Sequence, residues 1–203
     1  MVDIRGSEVK NHWDLRYAQK AYVYGTIPNT FIKEQLDGRK PGKILFPAEG
    51  EGRNAVYAAL LGWDVQAFDS SLEGKKKAEA LASEKGVSIR YQLASFEEVD
   101  FPENEFDCVA LVYAHTTNRR DNHRKLIKFL KPGGVILLEG FSKKQINYQT
   151  GGPKSLAMLF SQEELNDDFS TLSELKIWEE ETEIVEGHLH KGKAAIIRLI
   201  GRK

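Results

Sequence analysis

Apolar residues recur along the chain in short runs, each broken by a polar or glycine-containing turn before the next begins. The runs "ILF" (44–46), "DVQAFD" (64–69), "SIRYQLA" (88–94), "FDCVALVY" (106–113) and "VILLEGF" (135–141) read as strands. Alternation marks some of them, and continuous apolarity marks others as parallel strands buried on both faces. Between them the spacing becomes helical: Asn54 to Leu61 stopped by Gly62, residues 71–86 closed by Gly86, and about Arg120 to Phe129 before "LKPGG". Upstream, residues 8–37 predict a helix to about residue 20, a break at Gly25 to Pro28, and a short helix capped by Asn29. Downstream, "SQEELNDDF" (161–169) predicts a capped helix, and two long strand-like runs, about 172–186 and 193–201, flank "GHLHKG". Strands joined by so short a connection must pair antiparallel.

Strands alternating with helices predict an α/β fold: a doubly wound, mostly parallel, seven-stranded Rossmann-like sheet with right-handed crossovers. The C-terminal hairpin sets one antiparallel strand into it. All 203 residues are expected in a single domain, with residues 1–40 as a helical cap over the ligand site. That site should lie at the carboxyl ends of the strands, where the strand order reverses.

Composition narrows the possibilities. Lys and Arg total 29 against 30 for Asp and Glu, which argues against a dedicated nucleic-acid surface. No apolar run approaches the roughly 20 residues that span a bilayer, and the first residues lack an apolar signal-peptide core. Cys108 is the single cysteine, so no intramolecular disulfide or CxxC knuckle is available, and its apolar setting suggests a buried thiol. A cytoplasmic protein, monomeric or weakly dimeric, is expected, acting on a small molecule.

The chemistry concentrates in "ILFPAEGEGRNAVYAALLGWDVQAFDSS" (44–71). Gly50 and Gly52 lie between a strand and a helix, where backbone can approach a ligand and free N–H groups face an anion. Asp69 ends the next strand 19 residues after Gly50, placed to accept hydrogen bonds from both hydroxyls of a ribose. Glu49 and Glu51 stand in the loop that would receive a dinucleotide's pyrophosphate, an arrangement that is repulsive unless they turn away. A cationic sulfonium cofactor poses no such conflict. Arg53 could take that cofactor's carboxylate, or pair with Glu49 or Glu51.

These residues, with "FDCVALVYAH" and "LKPGGVILLEGF", resemble the class I S-adenosylmethionine-dependent methyltransferases. "WDLRYAQKAYVYGTIPN" and "YQTGGPKSLAML" are similar to the tellurite-resistance and thiopurine methyltransferase-like branch. The resemblance implies S-adenosyl-L-methionine as cofactor. Its methionine moiety would lie against Ala48, Glu49, Gly50 and Gly52, its ribose on Asp69 beside Ser70, and its adenine between Ser95 and Phe96. Tyr113, Ala114 and His115 would line the methyl-donor side, and Trp13, Tyr17 and Tyr24 would close over the cofactor. Phe46, Ala48 and Ser95 depart from the family pattern, where an acidic residue, a glycine and an aspartate are usual.

Two residues are candidates for acting on the acceptor. His115 could be a general base, or could cap the following helix or bond a backbone carbonyl. Glu139 could bind a cationic acceptor, orient His115, or pair with Arg119, Arg120 or Lys143. His188 and His190 read as an exposed turn, and no metal site is expected. Tyr148 and "TGGPK" form a connection that could close on the acceptor or simply bridge strand and helix. The leading expectation is methyl transfer to a small molecule, a thiol or a metalloid-derived nucleophile. The alternatives are a non-catalytic cofactor-binding protein and, behind it, an NAD(P)-dependent oxidoreductase.

Overall fold

The computed structural model describes residues 12–203. Its strands are β1 (Lys43–Pro47), β2 (Asp64–Asp69), β3 (Arg90–Leu93), β4 (Phe106–Val112), β5 (Leu130–Phe141), β6 (Glu174–Glu186) and β7 (His190–Arg202). The helices are α1 (Thr30–Asp37), α2 (Arg53–Leu60), α3 (Leu72–Glu84), α4 (Arg119–Phe129) and α5 (Gln162–Asp168). Residues 12–17 are helical as well; the portion of the expected N-terminal helix before residue 12 lies outside the described residues.

The strands form one sheet in the order β3-β2-β1-β4-β5-β7-β6. β1 is parallel to both β2 and β4, and β7 is antiparallel to both β5 and β6. This is the doubly wound sheet with a single reversed strand that the alternation of elements predicts. The order reverses between β1 and β4, and it is at the carboxyl ends of such a switch point that doubly wound sheets place their ligands.

Period-two alternation splits the core between the two faces. Ile44, Phe46, Cys108, Ala110 and Leu137 meet Phe31, Ile32 and Leu36 of α1 and Ala55 and Ala58 of α2 on one side. Leu45, Val109, Leu111, Ile136 and Leu138 meet Leu126 and Phe129 of α4 and Leu165 of α5 on the other. Side-chain caps fix where helices begin: Asn29 accepts from Ile32 N–H, Ser71 from Gly74 N–H, and Ser161 forms a reciprocal capping box with Glu164. Each cap of this kind contributes about 1 kcal/mol.

The largest differences in strand boundaries from the sequence reading are at β5 and β7, while the first helix ends at residue 17 and β3 is shorter at both ends. β5 starts at Leu130 because that residue pairs with Phe106 ahead of a register shift. β7 starts at His190 because the ladder continues through Glu186↔His190, leaving a tight tip between them.

The hairpin matters to the site because it overhangs the sheet. β5 ends at Phe141, paired with Ile196, so the preceding residues of β7 run past the carboxyl edge. The tip meets the N-terminal segment, where His188 N–H donates to the Val23 carbonyl at 3.2 Å. A Cβ on Gly187 would lie 2.2 Å from that same oxygen, so only glycine permits this approach. Between β5 and α5, Gln145 is fully buried and clasps the connection. Its Nε2 donates to Thr150 Oγ1 and the Gly151 carbonyl, while its Oε1 accepts from Ala195 N–H.

Candidate functional site

The loop from β1 to α2 lies at this switch point. Ala48 has φ +51° and Tyr113, just after β4, has φ +53°. Two non-glycine residues in the left-handed region thus flank the switch point, each at a cost of about 1–2 kcal/mol, and such strain gathers at functional sites. Gly50, with φ +62°, lies under Tyr17: a Cβ there would fall 2.5 Å from the Tyr17 hydroxyl oxygen.

Gly50 also ties the loop to β2. Its N–H donates to Asp69 Oδ2 at 3.0 Å, and its carbonyl accepts from the Tyr91 hydroxyl at 2.6 Å. The other Asp69 oxygen accepts from Ser71 N–H at 2.8 Å. Burial pushes the Asp69 carboxyl up to about 6, against the pull of these N–H donors. Ser70 is half-buried beside it. Ala94 N–H donates to the Asp69 carbonyl, so Ser95 and Phe96 follow at the same rim. Phe96 packs edge-on against Phe68, and Ser95 bonds reciprocally with Glu98.

Both glutamates of the loop are engaged within the protein, which removes the charge repulsion on which the electrostatic reading of this loop rested. Glu49 folds back on α2, where its Oε1 accepts from Asn54 and Ala55 N–H at 2.8 Å each. Burial raises its pKa to about 7. Glu51 turns the other way: Oε2 accepts from Val23 N–H at 2.8 Å and Oε1 pairs with Lys77 at 2.8 Å. Satisfied in this way, they are no argument against a pyrophosphate. Arg53 pairs with neither, since its guanidinium meets Glu186 at 3.0 Å and the Tyr24 carbonyl at 3.2 Å.

Above the loop the N-terminal segment supplies aromatic faces. Trp13 stacks on Tyr17 at 5.4 Å, and Tyr17 meets Tyr24 edge-on at 6.5 Å. Tyr24 lies 4.5 Å from His190, which in turn meets Tyr113 and Phe141 at 4.9 and 5.2 Å. Trp13, Tyr17, Tyr24 and Tyr113 are therefore brought together, and buried Ala114 follows directly. Gly151 and Gly152 of the "TGGPK" connection lie close against His190 and Phe141.

The two residues expected to act on the acceptor are otherwise engaged. His115 Nδ1 lies 2.7 Å from the Met158 carbonyl, and its Nε2 accepts from Phe141 N–H at 3.1 Å. Nδ1 therefore carries the proton and Nε2 has its lone pair in use. Burial lowers its pKa to about 4, so it stands neutral, bonded to backbone, and is not placed as a general base. Glu139 meets neither His115 nor the cations proposed for it. Its Oε2 pairs with Arg198 at 2.6 Å, and its Oε1 accepts from Asn29 Nδ2 at 2.5 Å and the Tyr113 hydroxyl at 2.9 Å. It is a buried positioning residue. Arg119 and Lys143 meet Glu164 instead, and Arg120 meets Asp167.

Sequence reasoning missed Glu186, His190, Arg198 and the second role of Asn29. His190 is 5% exposed rather than an open turn, with Nδ1 3.3 Å from Glu186 Oε2. The ladder pairing of a strand through "HLHKGK" was the available signal. Among the described residues, no group of three His, Cys, Asp or Glu is placed to hold a metal ion, and no helix is long and apolar enough to cross a membrane.

Two features of this arrangement suit an adenosyl sulfonium: a buried carboxylate at the end of β2, and aromatic faces fitted to a cation. Residues 44–134 match the family described as a methyltransferase domain. The ubiquinone/menaquinone biosynthesis C-methyltransferase UbiE of Pseudomonas fluorescens (strain SBW25) is 32% identical over 117 residues, 54% of this chain and 46% of that protein. The chain thus spans about half the length of the curated relatives it matches. Two solved structures share the fold. One comes from work on the conversion of a disulfide bond into a thioacetal group during echinomycin biosynthesis (TM-score 0.77, 18% identity, 96% of this chain and 92% of that one). The other is TehB from Haemophilus influenzae (TM-score 0.70, 17% identity, 96% of this chain and 66% of that one). The match places a methyltransferase domain in residues 44–134. Further solved structures of this fold include a SAM-dependent methyltransferase from Methanosarcina mazei and a Haemonchus contortus N-methyltransferase in complex with S-adenosylhomocysteine.

Proposed function

We propose that the protein transfers a methyl group from S-adenosylmethionine to a small, soft nucleophile, a thiol or a metalloid-derived anion. When bound, the cofactor supplies a methyl group on a sulfonium whose leaving group is already activated. Asp69 would hold the ribose, the 48–52 loop the methionine moiety, and Ser95 with Phe96 the adenine edge. Tyr17, Tyr24 and Tyr113 would present their faces towards the sulfonium and exclude water.

One observation carries the choice of acceptor: both nitrogens of His115 are bonded to backbone, and both oxygens of Glu139 are bonded to cap and hairpin. Neither group is free to take a proton, which favours an acceptor ionised in water and needing only position and desolvation. One structural neighbour was solved in work on the conversion of a disulfide bond into a thioacetal group, which is compatible with a sulfur acceptor. A carbon acceptor, as in the UbiE relatives, is the second reading, favoured by their identity over the cofactor-binding half.

The test is to incubate the protein with S-adenosylmethionine and three acceptor sets: small thiols, selenite or tellurite with reductant, and hydroquinones. S-adenosylhomocysteine should accumulate with the first two. Turnover with hydroquinone alone would select the carbon reading. Tight cofactor binding without turnover across the panel would make this a binding protein.

A further inference from the structure

The carboxylate of the bound cofactor needs a cationic partner, and the sequence points to Arg53. The structure places that guanidinium elsewhere: it is nearly closed to solvent and spent on Glu186 and the Tyr24 carbonyl. The other cations around the aromatic cluster are spent too. Lys77 pairs with Glu51, and Arg198 pairs with Glu139 and Glu180.

Arg16 differs. Among the described residues it has no carboxylate within ion-pair distance. Its Nη1 donates to the Tyr24 hydroxyl at 2.9 Å, and its guanidinium lies 4.9 Å over the Trp13 ring. Those two rings flank Tyr17, which covers Gly50. The side chain is half-buried, held in place by a neutral hydroxyl and an aromatic face, with most of its donors still available. Its positive charge also bears on His190 and Tyr17, placing it inside the same cluster. A guanidinium oriented by neutral groups, at the mouth of a site whose ligand carries a carboxylate, is a bidentate anchor awaiting its anion.

We infer that Arg16, and not Arg53, binds the α-carboxylate of S-adenosylmethionine. This rests on the cofactor reading above and adds to it the element that recognises the amino-acid end. Selectivity would follow: adenosyl ligands lacking the carboxylate would be bound without help from Arg16.

The experiment compares S-adenosylmethionine with its decarboxylated form, which keeps the sulfonium and the ammonium and lacks only the carboxylate. Both are titrated by calorimetry, without acceptor, into wild type, R16A and R16K. R16A should weaken S-adenosylmethionine binding about tenfold or more, the scale for losing a charge-assisted pair. It should leave the decarboxylated ligand within about twofold, with R16K intermediate for the first ligand. Equal weakening of both ligands would overturn the assignment, because Arg16 would then act only by bracing the cap through Tyr24. Unchanged binding of both would overturn it as well. Wild type binding neither ligand would sink the cofactor reading itself, and this inference with it. Circular dichroism of each variant shows that the fold is retained.

Discussion

Arg53, at the start of α2, and Glu186, at the end of β6, form a 3.0 Å ion pair across 133 positions of the chain, with side chains only 8% and 12% exposed. The pair fastens the hairpin tip to the glycine loop. Removing one member of a buried pair leaves the other desolvated and alone, at a cost of about 3–5 kcal/mol. Arg53→Met is therefore expected to lower unfolding stability in urea by that amount. The double variant with Glu186→Gln should lose less than the sum of the single changes.

The same carboxylate sets an acid limit. Burial alone would raise the pKa of Glu186, but His190 and Arg53 together hold it down to about 2. A depressed carboxyl contributes stability that is present above its unfolded value of about 4.5 and lost as pH falls through 2. Wild-type stability should fall across that window. Glu186→Gln, weaker at neutral pH, should show a shallower decline there, which acid titration of the unfolding midpoint would reveal.

His115 is expected to remain neutral far below the usual imidazole value. Burial lowers its pKa to about 4. Its contribution to stability is present above about 6.5, where the unfolded ring is also neutral, and is lost as pH falls towards 4. Imidazole NMR shifts should show a ring that does not titrate near 6.5 and carries its proton on Nδ1. A ring titrating at 6.5 would restore the general-base reading. His115→Gln should leave any pH–rate profile unaltered in shape.

Asp69 runs the other way. Its raised pKa means that the folded state takes up a proton near 6, so acidification below that point favours folding while it weakens an anionic acceptor. Cofactor affinity should be flat above about pH 6 and decline below it. Asp69→Ala should weaken binding by about 1–3 kcal/mol, the scale for hydrogen bonds to a charged group. Calorimetry at pH 5 and 8 separates the two effects.

Gly50→Ala is expected to lift the cap. The new methyl would stand 2.5 Å from the Tyr17 hydroxyl oxygen, on a backbone at φ +62°. The backbone share costs about 1–2 kcal/mol and the collision adds to it. Adding Tyr17→Phe removes the colliding oxygen and should recover part of the loss. Unfolding curves of the single and double variants measure that part.

How much of this could be read in the sequence depended on whether the cause was local. Period-two runs, the Asn29 and Ser161 caps and the stop at Gly62 are local, and each lies where it was expected. Asp69 was legible because a strand end and a glycine loop are neighbours in any β-α-β unit. The partners of Glu139 were not: Asn29 lies 110 positions before it and Arg198 lies 59 after. His190 was hidden for a related reason, since a polar tip looks exposed until the N-terminal segment is laid across it. The glutamates of the loop misled because their charge is visible in the sequence and their direction is not.

The overhanging hairpin, the Gln145 clasp and the N-terminal aromatics all come from outside residues 44–134. The segment that matches the methyltransferase domain carries Gly50 and Asp69, while three later or earlier pieces of chain pack beside it around Tyr113 and His190. On the proposed reading, such a division would let the surroundings of the acceptor be remodelled by drift in the tip, the connection or the cap while the cofactor loop stays fixed. Acceptor choice in relatives of this protein should therefore track those three peripheral segments and vary independently of the matched core.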